Sequence, residues 1–178
     1  SFCSSSGGTQ VWAWVGGNTW QNFSGNLPGT GTCAATQLAD MDVDGFTDVV
    51  TFGAHVAKVW GGDGAGNWTL LATFSTPSPG NYSALRVGGD ADHNGYPDIV
   101  IVAEEGGGLN PRNHLRFFKE ASTPAALSVT PVFPRGGETF IPGSTRFVEW
   151  VAAVPGGEAS AVTLEYSLSG PGGPWNPI

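Results

Sequence analysis

Charged side chains are scarce in this chain of 178 residues, because Asp, Glu, Lys and Arg together make up only 12% of it. The 15 acidic and 7 basic residues give a formal net charge of −8. Nucleic acid is not an expected partner, since phosphate backbones are bound by clustered Lys and Arg.

Long apolar runs are also missing. No stretch approaches the roughly 18 residues that a transmembrane helix needs, so we predict no membrane span. The chain does not open on a basic segment followed by an apolar one, which is the pattern of a secretory signal peptide. We therefore expect a mature or trimmed product.

Histidine is limited to His55, His93 and His114. None of them lies in a recognisable nucleophile or metalloprotease motif. We therefore predict that the protein is not an enzyme.

Cysteine occurs only twice, as Cys3 and Cys33. An even count fits one disulfide in an oxidising compartment. A zinc site is less favoured, because no second cluster of Cys and His lies nearby. The sequence thus predicts a disulfide between these two residues and an extracellular or cell-surface location.

Glycine, proline and tryptophan are abundant by contrast, with 28, 13 and 7 residues, and 40% of the chain is hydrophobic. This turn-rich, aromatic composition suits an all-β protein and not a disordered one. We expect the chain to bury a real core.

Two acidic segments, residues 40–48 and 90–98, share one pattern. Each has side-chain oxygens at positions 1, 3, 5 and 9 around a glycine at position 6. Carboxylates on alternate residues can surround Ca²⁺, which takes six to eight oxygen ligands at roughly 2.3–2.6 Å. The sequence predicts two calcium sites, with backbone carbonyls at position 7. Their predicted ligands are Asp40, Asp42, Asp44, Phe46 and Asp48 in the first loop and Asp90, Asp92, Asn94, Tyr96 and Asp98 in the second.

The loops differ from each other and from a helical calcium loop. An EF-hand needs a glutamate at position 12, where this chain has Thr51 or Ile101, and apolar β-branched runs after each loop predict strands. Asn94 makes the second loop one negative charge poorer, so we expect the first loop to bind the ion more tightly. Ordinary Asp/Asn/Gly turns are the alternative reading.

Similarity extends beyond the loops. Val59-Trp60-Gly61-Gly62 followed by Asn67-Trp68-Thr69 echoes Val11-Trp12 followed by Gly16-Gly17-Asn18-Thr19-Trp20. The order is a strand, a glycine-rich hairpin, a strand, an acidic loop and a buried strand. Self-similarity at this period is typical of solenoids and propellers.

These features resemble the FG-GAP or VCBS repeats of integrin-like β-propellers and of many bacterial surface and secreted proteins. Their pattern is Asp-x-Asp-x-Asp-Gly-x-x-Asp before a hydrophobic strand, which residues 40–50 match fully and residues 90–100 match apart from Asn94. The resemblance covers roughly residues 8–120 and implies calcium in the loop between adjacent strands of a blade. We place this region at residues 1–121, with two to three blades, an incomplete propeller.

A second region is predicted at residues 122–178, after a linker at 122–126 that is rich in small residues and proline. Short strands are expected within 127–131, 135–140, 146–150 and 161–167, between glycine- and proline-rich turns. The Pro-x-Gly-Gly-Glu, Val-Glu-Trp and Leu-Glu-Tyr-Ser segments resemble immunoglobulin- or fibronectin-like modules. Too few residues remain for such a β-sandwich, so we expect it to be partial.

The tryptophans leave two readings open. Trp60 and Trp68 are candidate residues for stacking on glycans, but recurrence of tryptophan within the repeat favours packing between sheets.

We expect an extracellular calcium-binding structural or adhesive protein, completed by other copies of itself or by a surface protein. The alternatives are a carbohydrate-binding module and an accessory fragment of a larger secreted enzyme.

Overall fold

The fold is all-β, as predicted. The structure, a computed structural model, describes residues 1–4, 7–31, 33–78, 84–104, 112–123, 126–155 and 161–178. Within these ranges no helix is long and apolar enough to cross a membrane. The strands are β1 (Phe2–Ser4), β2 (Gly8–Gln10), β3 (Trp12–Gly16), β4 (Thr19–Asn22), β5 (Ala35–Ala39), β6 (Asp48–Gly53), β7 (Val56–Gly62), β8 (Trp68–Ser75), β9 (Ala84–Gly89), β10 (Asp98–Glu104), β11 (Asn113–Phe118), β12 (Ser128–Phe133), β13 (Glu149–Ala153), β14 (Glu165–Tyr166) and β15 (Asn176–Pro177).

Two larger sheets carry the acidic loops. One has four strands in the order β5-β6-β7-β8, and the other has three in the order β9-β10-β11. All of their pairs are antiparallel. The remaining described strands form two-stranded sheets, β1-β2, β3-β4, β12-β13 and β14-β15, and none of the sheets is closed.

Strand β6 is buried on both of its faces, because it lies between two apolar clusters. Val50 and Phe52 point to one face and pack with Leu85 and Ile101 of the three-stranded sheet. Val49 points to the other face and belongs to the second cluster. Successive residues of a strand point to opposite faces, so a continuous apolar run is what this position requires.

The second cluster joins the β3-β4 hairpin to the four-stranded sheet. It consists of Val11, Leu27, Val49 and Trp68, with Phe23 and Trp60 packed against it. The echo between the segments around Trp12 and Trp60 therefore corresponds to neighbouring hairpins that share an apolar core.

A disulfide joins Cys3 and Cys33, as the sequence predicted. It ties β1 to the segment before β5 across a sequence separation of 30 residues. Closing a loop of this length restricts the unfolded chain and contributes about 3 kcal/mol to stability.

The described part of the second region consists of short strand pairs, and the immunoglobulin-like sandwich stays a prediction. Its described residues form the pairs β12-β13 and β14-β15, and the strand expected at 135–140 is absent. Glu138 explains this absence, because its carboxylate accepts the backbone N–H groups of Arg135 (2.6 Å) and Gly136 (2.8 Å) and so closes a turn. Of the predicted linker, Pro124 and Ala125 lie outside the described residues.

Candidate metal centre

Both acidic loops occupy the same place in their sheets. The first connects the antiparallel strands β5 and β6, and the second connects β9 and β10. The aspartate at position 9 is in each case the first residue of the second strand, Asp48 or Asp98, and is buried. The remaining positions of each loop lie between the strand ends.

The buried aspartates hold equivalent backbone groups. Oδ2 of Asp48 accepts the N–H of Met41 (2.6 Å), and Oδ2 of Asp98 accepts the N–H of Ala91 (2.7 Å). The other oxygen accepts an N–H from the neighbouring strand segment, Gly62 (2.9 Å) for Asp48 and Glu120 (2.8 Å) for Asp98. Asp48 therefore fastens its loop to the end of β7, and Asp98 fastens its loop to the segment after β11.

The first aspartate of each loop organises the turn. Asp40 accepts the N–H groups of Asp44 and Gly45, both at 3.1 Å. Asp90 accepts those of the equivalent residues, Asn94 at 3.2 Å and Gly95 at 2.8 Å. The glycines have φ values of 95° and 94°, a region that residues with a Cβ rarely adopt, so glycine at position 6 is required in both loops.

Three carboxylates converge in each loop. One oxygen from each of Asp40, Asp42 and Asp48 lies within 4.8 Å of the others, and the same holds for Asp90, Asp92 and Asp98. Oxygens that surround one Ca²⁺ at about 2.4 Å can be separated by no more than about 4.8 Å. The donor set is entirely oxygen, the ligand type that hard cations prefer. Both clusters can hold a metal ion.

Burial and neighbouring negative charges oppose ionisation of two carboxylates in the first loop. Burial raises the pKa of Asp48 to about 6, although the N–H groups of Gly62 and Met41 favour its charged form. Partial desolvation, followed by the charge of Asp44, raises the pKa of Asp42. A cation placed among these carboxylates would offset both causes.

Position 5 differs between the loops for a reason that the sequence did not reveal. Asp44 and Asn94 each accept an N–H at position 7, from Phe46 (2.8 Å) and Tyr96 (2.9 Å). The amide of Asn94 also donates, to the backbone oxygens of Glu120 (2.8 Å) and Ser122 (3.2 Å) and to the Glu120 carboxylate (3.1 Å). A carboxylate has no proton to donate there, so asparagine fastens this loop to the segment after β11.

Each cluster also has a basic partner that sequence reasoning missed. The guanidinium of Arg135 lies 2.6 Å from Oδ2 of Asp40 and donates to the carbonyl of Gly45 at 3.0 Å. Lys119 lies 3.1 Å from Oδ2 of Asp92. Both basic groups lie beside carboxylates of the clusters, where negative charge attracts a cation. A metal ion would be attracted by the same charge. Nothing in the sequence pairs residues 95 positions apart.

The residues at position 7, Phe46 and Tyr96, are the predicted donors of backbone carbonyls. The ring of Phe46 lies against Gly64, where an added Cβ would approach it to 2.8 Å, and its side chain is otherwise exposed. Tyr96 is half-buried. Coordination by their carbonyls stays a prediction.

The tryptophans proposed for glycan stacking are packed instead. Trp68 is 6% exposed, and its indole N–H donates to the carbonyl of Phe23 at 2.8 Å. The side chain of Asn26 bonds both backbone groups of Trp68, at 2.7 and 2.8 Å. Trp60 is half-buried against the same cluster. Stacking on Trp68 is therefore wrong for this conformation, because its ring offers no free face.

Comparison with known proteins gives one match. A family model described as an FG-GAP-like repeat matches residues 40–101, which run from the first aspartate of one loop through the second loop into β10. Neither the curated proteins nor the solved structures provide a match. FG-GAP repeats often bind calcium, and the repeat together with the disulfide is consistent with an extracellular protein. Residues 40–101 of this chain thus form an FG-GAP-like repeat.

Proposed function

We propose that this protein is an extracellular calcium-binding module with a structural or adhesive role. One observation carries the proposal: two loops, at equivalent strand connections, repeat the same carboxylate cluster on the same scaffold of hydrogen bonds. An ordinary Asp/Gly turn satisfies its own backbone and does not require three convergent carboxylates.

In this proposal the ions act mechanically. Asp48 already connects the loop to the end of β7 through Gly62, and Asp98 connects its loop to Glu120 after β11. An ion shared with the other aspartates of each loop would couple metal binding to the positions of these strands. The coupling favours a rigid repeat suited to holding surfaces together.

Completion by a neighbour is the second part of the proposal. The described part of the second region exposes several large apolar side chains, including Ile141, Phe147 and Leu168. Exposed apolar surface favours association, and sheets with open edges accept further strands. We propose that propeller-type blades and a partial immunoglobulin-like module are completed by other copies or by a surface protein.

Calorimetric titration with Ca²⁺ tests the metal sites directly. We expect two ions per chain for the unaltered protein and one ion each for Asp42→Ala and Asp92→Ala. Both residues are cluster members outside the buried core, so these variants should remain folded, which circular dichroism can verify. Absence of calcium binding by the folded, unaltered protein would contradict the proposal.

Arg135→Ala should increase the calcium affinity of the first loop by about fivefold. The guanidinium and the ion compete for Asp40, and an exposed ion pair contributes roughly 1 kcal/mol. Calorimetric titration measures this change. It is carried out in the Asp92→Ala background, where only the first loop is expected to bind calcium.

Lys119→Ala is the matched control. It removes the ion pair with Asp92 and should increase affinity at the second loop only. Weaker binding in Arg135→Ala would show that the guanidinium supports the ion site instead of competing with the ion.

A further inference from the structure

The β3-β4 hairpin has two unlike faces. Trp14 stands directly opposite Trp20, and Trp12 stands opposite Asn22. Alternate strand residues and opposite partners share a face, so the three indoles form one row. The other face includes Ala13 and continues to Val11, which is buried in the second apolar cluster. We call the row of Trp12, Trp14 and Trp20 the tryptophan platform.

The platform faces solvent. Trp14 is 62% exposed, Trp20 is 61% exposed and Trp12 is 41% exposed. The indole N–H of Trp12 donates to the side chain of Gln10 at 3.3 Å, which helps to orient that ring. The hairpin thus exposes its three largest apolar side chains, together with Val15 (51% exposed), which marks an interaction surface.

The hairpin that carries the platform is polar and uncharged, and the exposed Asp63 lines a pocket together with Trp12. Residues 1–39 include no Asp, Glu, Lys, Arg or His side chain, and all charged side chains of the protein follow them. Asn22 shares the platform face, Asn18 lies in the hairpin turn, and Thr19 and Gln21 lie on the opposite face; all four are exposed. Their amide and hydroxyl groups can bond hydroxyls, while indole faces pack against apolar C–H groups. Charged ligands would find no complementary group on this segment.

The size of the platform argues against a protein as its occupant. A fully exposed tryptophan offers up to about 250 Å², so the three exposed fractions together supply roughly 400 Å². A stable protein interface needs about 800 Å² on each partner. A narrow row of rings fits a linear ligand that makes repeated small contacts.

From the exposed row, the uncharged hairpin and the small area, we propose that the tryptophan platform binds a neutral polysaccharide. The apolar faces of its sugar rings pack on the indoles, and its hydroxyls bond the flanking amides. This site is separate from the metal loops and does not depend on the proposed calcium function.

Depletion binding to insoluble cellulose and insoluble chitin, with affinity electrophoresis in soluble xylan and β-glucan, tests the inference. We expect at least one of these four neutral polymers to bind the unaltered protein. Trp14→Ala and Trp20→Ala should each weaken that binding about tenfold, and the double variant should abolish it. Trp175→Ala, which removes another exposed indole, is the matched control and should bind normally.

Three results would overturn the inference. One is the failure of all four polymers to bind, and another is normal binding by the double variant. The third is that the unaltered protein binds no polysaccharide but self-associates in sedimentation, and that the double variant abolishes this self-association. Near-ultraviolet circular dichroism and the melting temperature establish that each variant is folded. Polysaccharide binding is measured both in calcium and in chelator. Equal binding in the two buffers shows that this site does not depend on the metal loops.

Discussion

Chelating divalent cations should lower the melting temperature of the protein by about 10–20 °C. A ligand present at 100 times its dissociation constant stabilises the folded state by about 2.7 kcal/mol, so two such sites contribute about 5 kcal/mol. For a protein of this size, 1 kcal/mol shifts the melting temperature by roughly 2–4 °C. Thermal unfolding in excess Ca²⁺ and in excess chelator measures the difference.

The double variant Asp42→Ala/Asp92→Ala is the control. It lacks one ligand in each cluster, so its melting temperature should be low in calcium and should hardly change in chelator. A melting temperature of the unaltered protein that is the same in both buffers would contradict a stabilising role for the ions.

The convergence of three carboxylates in each acidic loop was predictable from the sequence because the loop geometry is local. Ligand positions, the glycine and the strand that follows all lie within nine to twelve residues, so spacing alone fixes what can converge. Asp40, Asp42 and Asp48 converge as expected. The groups that hold the buried aspartates come from later parts of the chain, Gly62 at the end of β7 and Glu120 after β11, and have no signature in the loop itself.

Asn94 shows how a substitution can be misread from spacing alone. In the sequence it is a weaker ligand with one charge fewer. In the structure its amide donates to the chain at 120–122, a contact that only the paired strands β10 and β11 bring within reach. The relative affinity of the two loops therefore stays a prediction, with a second role for Asn94 now visible.

The tryptophans expose a limit of repeat patterns. Trp12 and Trp60 occupy similar positions in the sequence, but Trp12 faces solvent and Trp60 packs against a cluster. Burial depends on whether a sheet covers that face, and this information is not in the repeat.

The turn at Glu138 is a second case in which the sequence pattern was not sufficient. Bonds from the Glu138 side chain to the backbone of Arg135 and Gly136 form a turn where the composition favoured a strand.

Asp48→Ala should be the most damaging single substitution in the first loop, with a loss of about 5–9 kcal/mol in calcium. It removes an ion ligand, worth about 2.7 kcal/mol at 100 times the dissociation constant. It also leaves the buried bonding partners Met41 N–H and Gly62 N–H without an acceptor, at about 1–3 kcal/mol each. Urea unfolding monitored by tryptophan fluorescence measures the free energy.

Asp42→Ala separates the two contributions. Its carboxylate bonds only the nearby N–H of Asp44 in the described contacts, so this variant should lose about 3 kcal/mol in calcium and little in chelator. In chelator, Asp48→Ala should still be less stable than the unaltered protein, by a smaller margin, because removing a buried carboxylate also removes the cost of burying its charge. If Asp48→Ala and Asp42→Ala proved equally stable in both buffers, Asp48 would serve the ion alone. Its bonds to the loop at Met41 and to β7 at Gly62 would then not be part of what holds the repeat together.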